Sequence, residues 1–134
     1  MASHRIPTKV LIVEDCNSDV VLLERMLDDA SPHDPYSFTA VPRLIDAFSL
    51  LDKQSFDVVL LDLNLLDIDG VSSVSALHAA KPDTPIIVYS GTEDPKVKRE
   101  CLLLGAQHYL VKGHESGYSL RFMIDQTLGM AHTA

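Results

Sequence analysis

The sequence predicts an α/β domain built on a parallel sheet with helices on both faces. Three observations point there. Short apolar runs recur five times along the 134 residues, most with the continuous, β-branched character of strands buried on both sides. Amphipathic stretches with apolar residues at i, i+3, i+4 and i+7 separate them. Parallel strands need long crossover connections, and this alternation supplies them.

The elements follow in order. Lys9 to Val13 is a first strand. Asn17 is placed to cap a helix in which Val20, Leu23 and Leu27 share one face, since a short polar side chain can accept from the first free amides. Two prolines between Ser31 and Pro35 end it. Tyr36 to Val41 reads as a second strand, more polar and so suited to a sheet edge. Leu44, Ala47, Phe48 and Leu51 mark a second helix, and Asp57 to Leu61 is the most apolar strand, expected at the sheet centre. Beyond Gly70, Val71, Val74 and Leu77 form a third helix, closed by Pro82 and Pro85. Pro85 to Tyr89 is a fourth strand, and Val97, Cys101 and Leu104 lie on a fourth helix stopped by Gly105. His108 to Val111 is the fifth strand, and Leu120, Met123, Ile124 and Leu128 define the last helix. There is no internal repeat or low-complexity linker, and one domain over 8–130 is expected, with tails at 1–7 and 131–134.

Composition narrows the function. Apolar residues make up 46% and charged residues 22%, the balance of a globular domain with its own core. A net charge of -8 argues against nucleic acid or an anionic membrane reached by bulk electrostatics, and suits a site that concentrates cations. No targeting segment and no apolar run near the roughly 18 residues of a membrane span is seen, so a cytoplasmic location is expected. Cys16 and Cys101 match no metal or redox spacing. Cys16 reads as a small, partly buried residue, Cys101 as core-facing, and the six histidines as solvated.

In an open parallel sheet, ligands bind beyond the carboxyl ends of the strands. There the sequence places Glu14-Asp15 after the first strand, Asp62 after the third, Ser90-Gly91 after the fourth and Lys112-Gly113 after the fifth. If the first and third strands are neighbours, three carboxylates converge. Two carboxylates about 4 Å apart repel by about 4 kcal/mol at an effective dielectric near 20. Convergence therefore demands a raised pKa or a cation, and oxygen ligands of this kind suit Mg²⁺. Lys112 adds a second positive charge. Together they could neutralise a phosphoryl group, whose transfer depends on positioning and charge stabilisation, with a carboxylate as the nucleophile.

At these residues the chain resembles the response-regulator receiver domains of two-component signalling. The resemblance runs from about Thr8 to Leu128. It is carried by Glu14-Asp15 closing Val10 to Val13, by Asp62 through Gly70 after Val58 to Leu61, by Val88 to Gly91, and by Gly105 through Lys112. It implies a flavodoxin-like, doubly wound sheet of five parallel strands in order 2-1-3-4-5 with five flanking helices. Asp62 would take a phosphoryl group from a sensor histidine kinase or histidine phosphotransfer protein. Asp15 would bind Mg²⁺ directly, Glu14 largely through water, and Asn64 through its backbone carbonyl. Ser90 and Lys112 would contact the phosphoryl oxygens, and Gly91 leaves room for them. Tyr109 stands at the position of the switch aromatic that turns inward as the Ser90 hydroxyl moves. The face of the fourth helix, fifth strand and fifth helix would then change partners, a homodimer among them. Such a chain is no enzyme beyond its own phosphorylation and dephosphorylation.

Two positions depart from the family. Leu66 replaces a proline four residues after the acceptor, which bears on loop rigidity. Gly113 replaces the proline whose cis bond follows the lysine. Without proline a cis bond costs about 2.5–4 kcal/mol, so Lys112 could be aimed differently, unless glycine dihedrals compensate.

Plainer readings exist for each residue: a helix-terminal charge pair at Glu14-Asp15, a solvated strand end at Asp62, a turn at Ser90, a surface lysine at 112 and a packed aromatic at 109. Asp67 and Asp69 are expected to shape the turn into Gly70. A pseudo-receiver without phosphorylation is one rival function. A haloacid-dehalogenase-type phosphatase is another, although it needs an acid-base aspartate where Asn64 stands. The spacing after Asp62 does not fit a calcium loop. No output domain is visible, so the downstream target is open between docking by a free-standing receiver and an attached domain.

Overall fold

The computed structural model describes residues 6–32, 35–65 and 70–129. Five strands, β1 (Thr8–Val13), β2 (Tyr36–Val41), β3 (Val58–Leu61), β4 (Ile86–Ser90) and β5 (His108–Val111), alternate with five helices. These are α1 (Asn17–Ala30), α2 (Leu44–Lys53), α3 (Ser72–Ala80), α4 (Pro95–Leu103) and α5 (Gly117–Thr127). The sheet is parallel throughout, in the order β2-β1-β3-β4-β5, and the polar β2 lies at its edge as expected.

Strand periodicity divides the core. Leu11, Val13, Val59, Leu61, Ile86, Val88 and Tyr109 face one side, against Leu44, Ala47 and Leu51 of α2, Val74 and Leu77 of α3 and Cys101 of α4. Val10, Ile12, Val58, Leu60, Ile87, Tyr89 and Leu110 face the other, against Val20, Leu23 and Leu27 of α1 and Leu120 and Ile124 of α5. Successive residues of a strand point to opposite faces, so a strand covered twice must be apolar at every position. β3 and β4 are buried throughout.

The helix ends follow local chemistry. At α4, the Ala106 amide returns to the Cys101 carbonyl (3.0 Å) and the Gly105 amide to Leu102 (3.4 Å), closing the helix where glycine was expected to stop it. The Ser116 hydroxyl and the Ser119 side chain cap α5 reciprocally. The expectation that Asn17 caps α1 is corrected. Cys16 holds the cap position in extended conformation without a side-chain bond to a helix amide, and Asn17 is the first helical residue. The Cys16 amide is instead turned to Glu14 Oε2 (3.1 Å), which starts the helix one residue early.

Leu66, Asp67 and Asp69 lie outside the described residues, as do the tail segments 1–5 and 130–134. Among the described residues no helix is long and apolar enough to cross a membrane.

Helices α1 and α5 approach closely where Gly117 sits against the α1 backbone. A Cβ there would collide with the Met26 carbonyl oxygen and crowd the Ala30 methyl at 3.3 Å. Backbone cannot yield as a side-chain tip can. Gly117→Ala should therefore destabilise the fold by about 1–3 kcal/mol. Gly91→Ala, where a Cβ meets nothing within 4 Å, should change stability by no more than about 0.5 kcal/mol. Urea denaturation of both variants checks this, and equal midpoints would contradict the packing described.

Candidate functional site

The site is a consequence of register. Val13 pairs with Leu61 across β1 and β3, so the residues that follow, Glu14 and Asp62, emerge side by side. The Asp62 amide donates to the Val13 carbonyl (3.0 Å), and the Glu14 amide to Val41 (3.0 Å). Ser90 pairs with Val111, and the Lys112 amide returns to the Ser90 carbonyl (2.9 Å). Backbone pairing alone thus gathers the acidic pair, Asp62, Ser90 and Lys112 at one sheet edge.

Ligand oxygens of Glu14, Asp15 and Asp62 all lie within 4.8 Å of one another. Asp62 is 5% exposed, and its buried Oδ1 has no hydrogen-bond partner among the described residues. A buried, unsatisfied polar atom costs about 1–3 kcal/mol, more when charged. Three carboxylates around such an atom offer the all-oxygen donors that a hard divalent cation such as Mg²⁺ takes. Asn64 is exposed, two residues beyond Asp62.

The lysine is the local counter-charge. Its Nζ donates to Glu14 Oε1 and to Asp19 Oδ2 (2.9 Å), and stands 3.7 Å from Asp62 Oδ2. The Lys112–Gly113 bond is trans, and Gly113 adopts φ +86°. Of the two outcomes left open by the missing proline, glycine's left-handed backbone accompanies a lysine that still reaches the acidic cluster. Burial opposes the Lys112 charge, but the bonds to Glu14 and Asp19 and the charge of Asp62 outweigh it, and the ammonium is held above its ordinary range. Burial raises Glu14 from 4.5 to about 7, aided by the Asp62 charge, although Lys112 and the Cys16 amide pull it down.

Ser90 is fully buried, and its hydroxyl accepts from the Thr92 amide (3.4 Å). Tyr109 is 6% exposed and packs in the core, its hydroxyl donating to the Thr92 carbonyl (2.6 Å). Thr92 therefore bridges the two, a role its sequence position two after Ser90 did not advertise. Asp19 was also missed. Its signal is an acidic residue in the first turn of α1, ordinarily read as a helix-dipole charge. Nothing lies within 4 Å of where a Cβ on Gly91 would sit.

Two expectations are corrected. Cys16 is exposed rather than partly buried, because it forms the outer corner of the turn into α1. The histidines are not uniformly solvated. His114 is exposed beside Glu93 (3.0 Å), but His78 and His108 are half-buried, and burial lowers the pKa of His108. His4, His33 and His132 lie outside the described residues.

Comparison with known proteins shows the family of the fold. Residues 10–118 match the family model of the response regulator receiver domain. The cell cycle transcriptional regulator CtrA of Caulobacter vibrioides is 31% identical over 104 residues, covering 78% of this chain and 43% of the relative. The cell cycle response regulator CtrA of Brucella ovis is 34% identical over the same shares. The chain thus spans less than half the length of these relatives. Among solved structures, the receiver domain of a sensor histidine kinase from Pseudomonas aeruginosa PAO1 superposes with a TM-score of 0.77 at 25% identity, over 92% of this chain and 99% of that one. That structure has a magnesium ion coordinated in its active site cleft. The chain belongs to the response regulator receiver domain family of two-component signalling.

Proposed function

We infer that this receiver accepts a phosphoryl group on Asp62 from a phosphohistidine, in a reaction that depends on Mg²⁺. The observation that carries the reading is the buried Asp62 carboxylate, with Oδ1 unpartnered, Lys112 3.7 Å from Oδ2, and Glu14 and Asp15 within ligand distance. The donor is a sensor histidine kinase or a histidine phosphotransfer protein, in the cytoplasm. A carboxylate oxygen of Asp62 attacks phosphorus. The phosphorus–nitrogen bond of the donor breaks, and its electron pair stays on the imidazole nitrogen, which is protonated. An acyl phosphate remains on Asp62.

Asp15, Asp62 and the Asn64 carbonyl would hold the ion, with Glu14 acting largely through water. The ion supplies charge neutralisation at the transferring oxygens. Lys112 pairs with one phosphoryl oxygen and Ser90 donates its hydroxyl to another. When Ser90 turns toward the phosphoryl group it releases the Thr92 amide, and Thr92 is also the partner of Tyr109. The signal then reaches the face of α4, β5 and α5, where a downstream target, an output domain or a second copy docks. No external substrate is turned over.

With acetyl phosphate and Mg²⁺, the protein should gain the mass of one phosphoryl group. Asp62→Asn should abolish the gain, and Lys112→Ala should slow it on the order of 10²-fold. An unmodified wild-type protein by intact-mass spectrometry would instead mark a pseudo-receiver. Sustained hydrolysis of a generic phosphomonoester would favour the phosphatase alternative.

Glu14 gives a pH dependence of definite sign. Its pKa is raised in the fold from 4.5 to about 7, so the metal-free protein loses this contribution to stability as pH climbs through that interval. A cation favours the ionised carboxylate and must displace a proton below about pH 7. Mg²⁺ affinity should therefore be about tenfold weaker at pH 6 than at pH 8. Calorimetric titration at both pH values reads this, and equal affinities would remove Glu14 from the ion's surroundings.

A further inference from the structure

Among the described residues three carboxylates face Lys112, and Asp19 alone has no part in the proposed function. It lies in the first turn of α1 with its side chain 42% exposed, against 6% for Glu14 and 5% for Asp62. Yet Lys112 Nζ is 2.9 Å from Asp19 and 3.7 Å from Asp62. Glu14 and Asp19 both hold the ammonium closer than Asp62 does, and Asp19 draws it toward α1. Asp19 and Lys112 line a shallow cleft with Leu22, Leu23, Tyr89 and Gly113, so the lysine has room on that side. Gly113, at φ +86° with open space where a Cβ would be, leaves the backbone behind it free of side-chain bracing.

We propose that Asp19 is a positioning residue that holds the Lys112 ammonium off Asp62 in the resting protein and competes with the phosphoryl group for it. The inference rests on the phosphoacceptor reading. A single ammonium bonded to Asp19 at 2.9 Å and 3.7 Å from Asp62 has to turn toward a phosphoryl group carried by Asp62. Phosphorylation therefore weakens the bond to Asp19. The contact is half-exposed, so it is weak enough to yield and is screened by salt. It sets how tightly the phosphoryl group is held without touching it.

The effects of removing Asp19 differ in sign for the two ligands. Asp19→Asn frees Lys112 to pair with a phosphoryl mimic, which tightens its binding. The freed ammonium, still bonded to Glu14, also moves nearer Asp62, and one negative charge is lost, so a cation alone binds more weakly. A variant that merely loosened the fold would weaken both.

The test titrates wild type, Asp19→Asn and Asp19→Glu at constant ionic strength, following amide chemical shifts. Mg²⁺ alone is added first, then beryllofluoride at saturating Mg²⁺. Asp19→Asn should bind beryllofluoride about twofold to fivefold more tightly and Mg²⁺ about twofold more weakly, the range a partly exposed ion pair spans. Asp19→Glu should return both toward wild type, with thermal midpoints unchanged in all three. Unchanged or weaker beryllofluoride binding by Asp19→Asn, beside a wild type that binds, overturns the proposal alone. A wild type that takes up no beryllofluoride overturns the phosphoacceptor reading and this inference together.

Discussion

The structure turns on a repulsion that the sheet does not allow to relax. β1 and β3 are neighbours in fixed register, and the first side chains past their ends are carboxylates. Each strand is clamped between two apolar layers, so neither can slide to separate those charges without exposing core residues such as Leu11, Ile12, Leu60 and Leu61. A one-residue slip would turn every such side chain to the wrong face. Burial energy spread over the whole sheet thus holds Glu14 and Asp62 where electrostatics alone would part them. Burial is the main cause of the raised Glu14 pKa, and the neighbouring Asp62 charge adds to it.

The same register ties the Asp62 edge to a distant surface. The Lys112 amide is bonded to the Ser90 carbonyl, while the Ser90 hydroxyl holds one side of the Thr92 peptide unit and Tyr109 the other. A shift of Ser90 toward a phosphoryl group would cost Thr92 an amide partner. Because Tyr109 grips the Thr92 carbonyl, the loop before α4 and the β5 aromatic would adjust together. These contacts form a contiguous chain from Asp62 to α4 and β5, through which two arrangements could be coupled.

Elements and core were legible because they are written in periodicities that burial enforces. The run Val58 to Leu61 could only be a central strand, and Leu44, Ala47 and Leu51 only an inward helical stripe. The gathering of Glu14, Asp15, Asp62, Ser90 and Lys112 was legible for a related reason, since each directly follows or ends an apolar strand. What failed depends on local bonding that periodicity does not encode. Asn17 looks like a cap, but Glu14 captures the Cys16 amide and moves the helix start by one residue. Asp19 looks like a dipole charge, and only the path of Lys112 in three dimensions makes it a partner. Thr92 contributes through its backbone, which no side-chain pattern reveals.

Charge bookkeeping orders the events at the site. Among the described residues, Glu14, Asp19 and Asp62 face one ammonium, and Asp15 stands beside Glu14 and Asp62. If all are ionised, the edge carries three excess negative charges before any ligand arrives. A phosphoryl donor bringing further negative charge would meet a barrier of several kcal/mol at the separations involved, even at an effective dielectric near 20. A divalent cation lowers that excess to one. It also loosens the claim of Glu14 and Asp62 on Lys112, leaving Asp19 as the ammonium's remaining competitor. On the proposed phosphoacceptor function, electrostatics would favour cation first and phosphoryl second. The last obstacle to full pairing of a phosphoryl group would then be the contact between Lys112 and the first turn of α1.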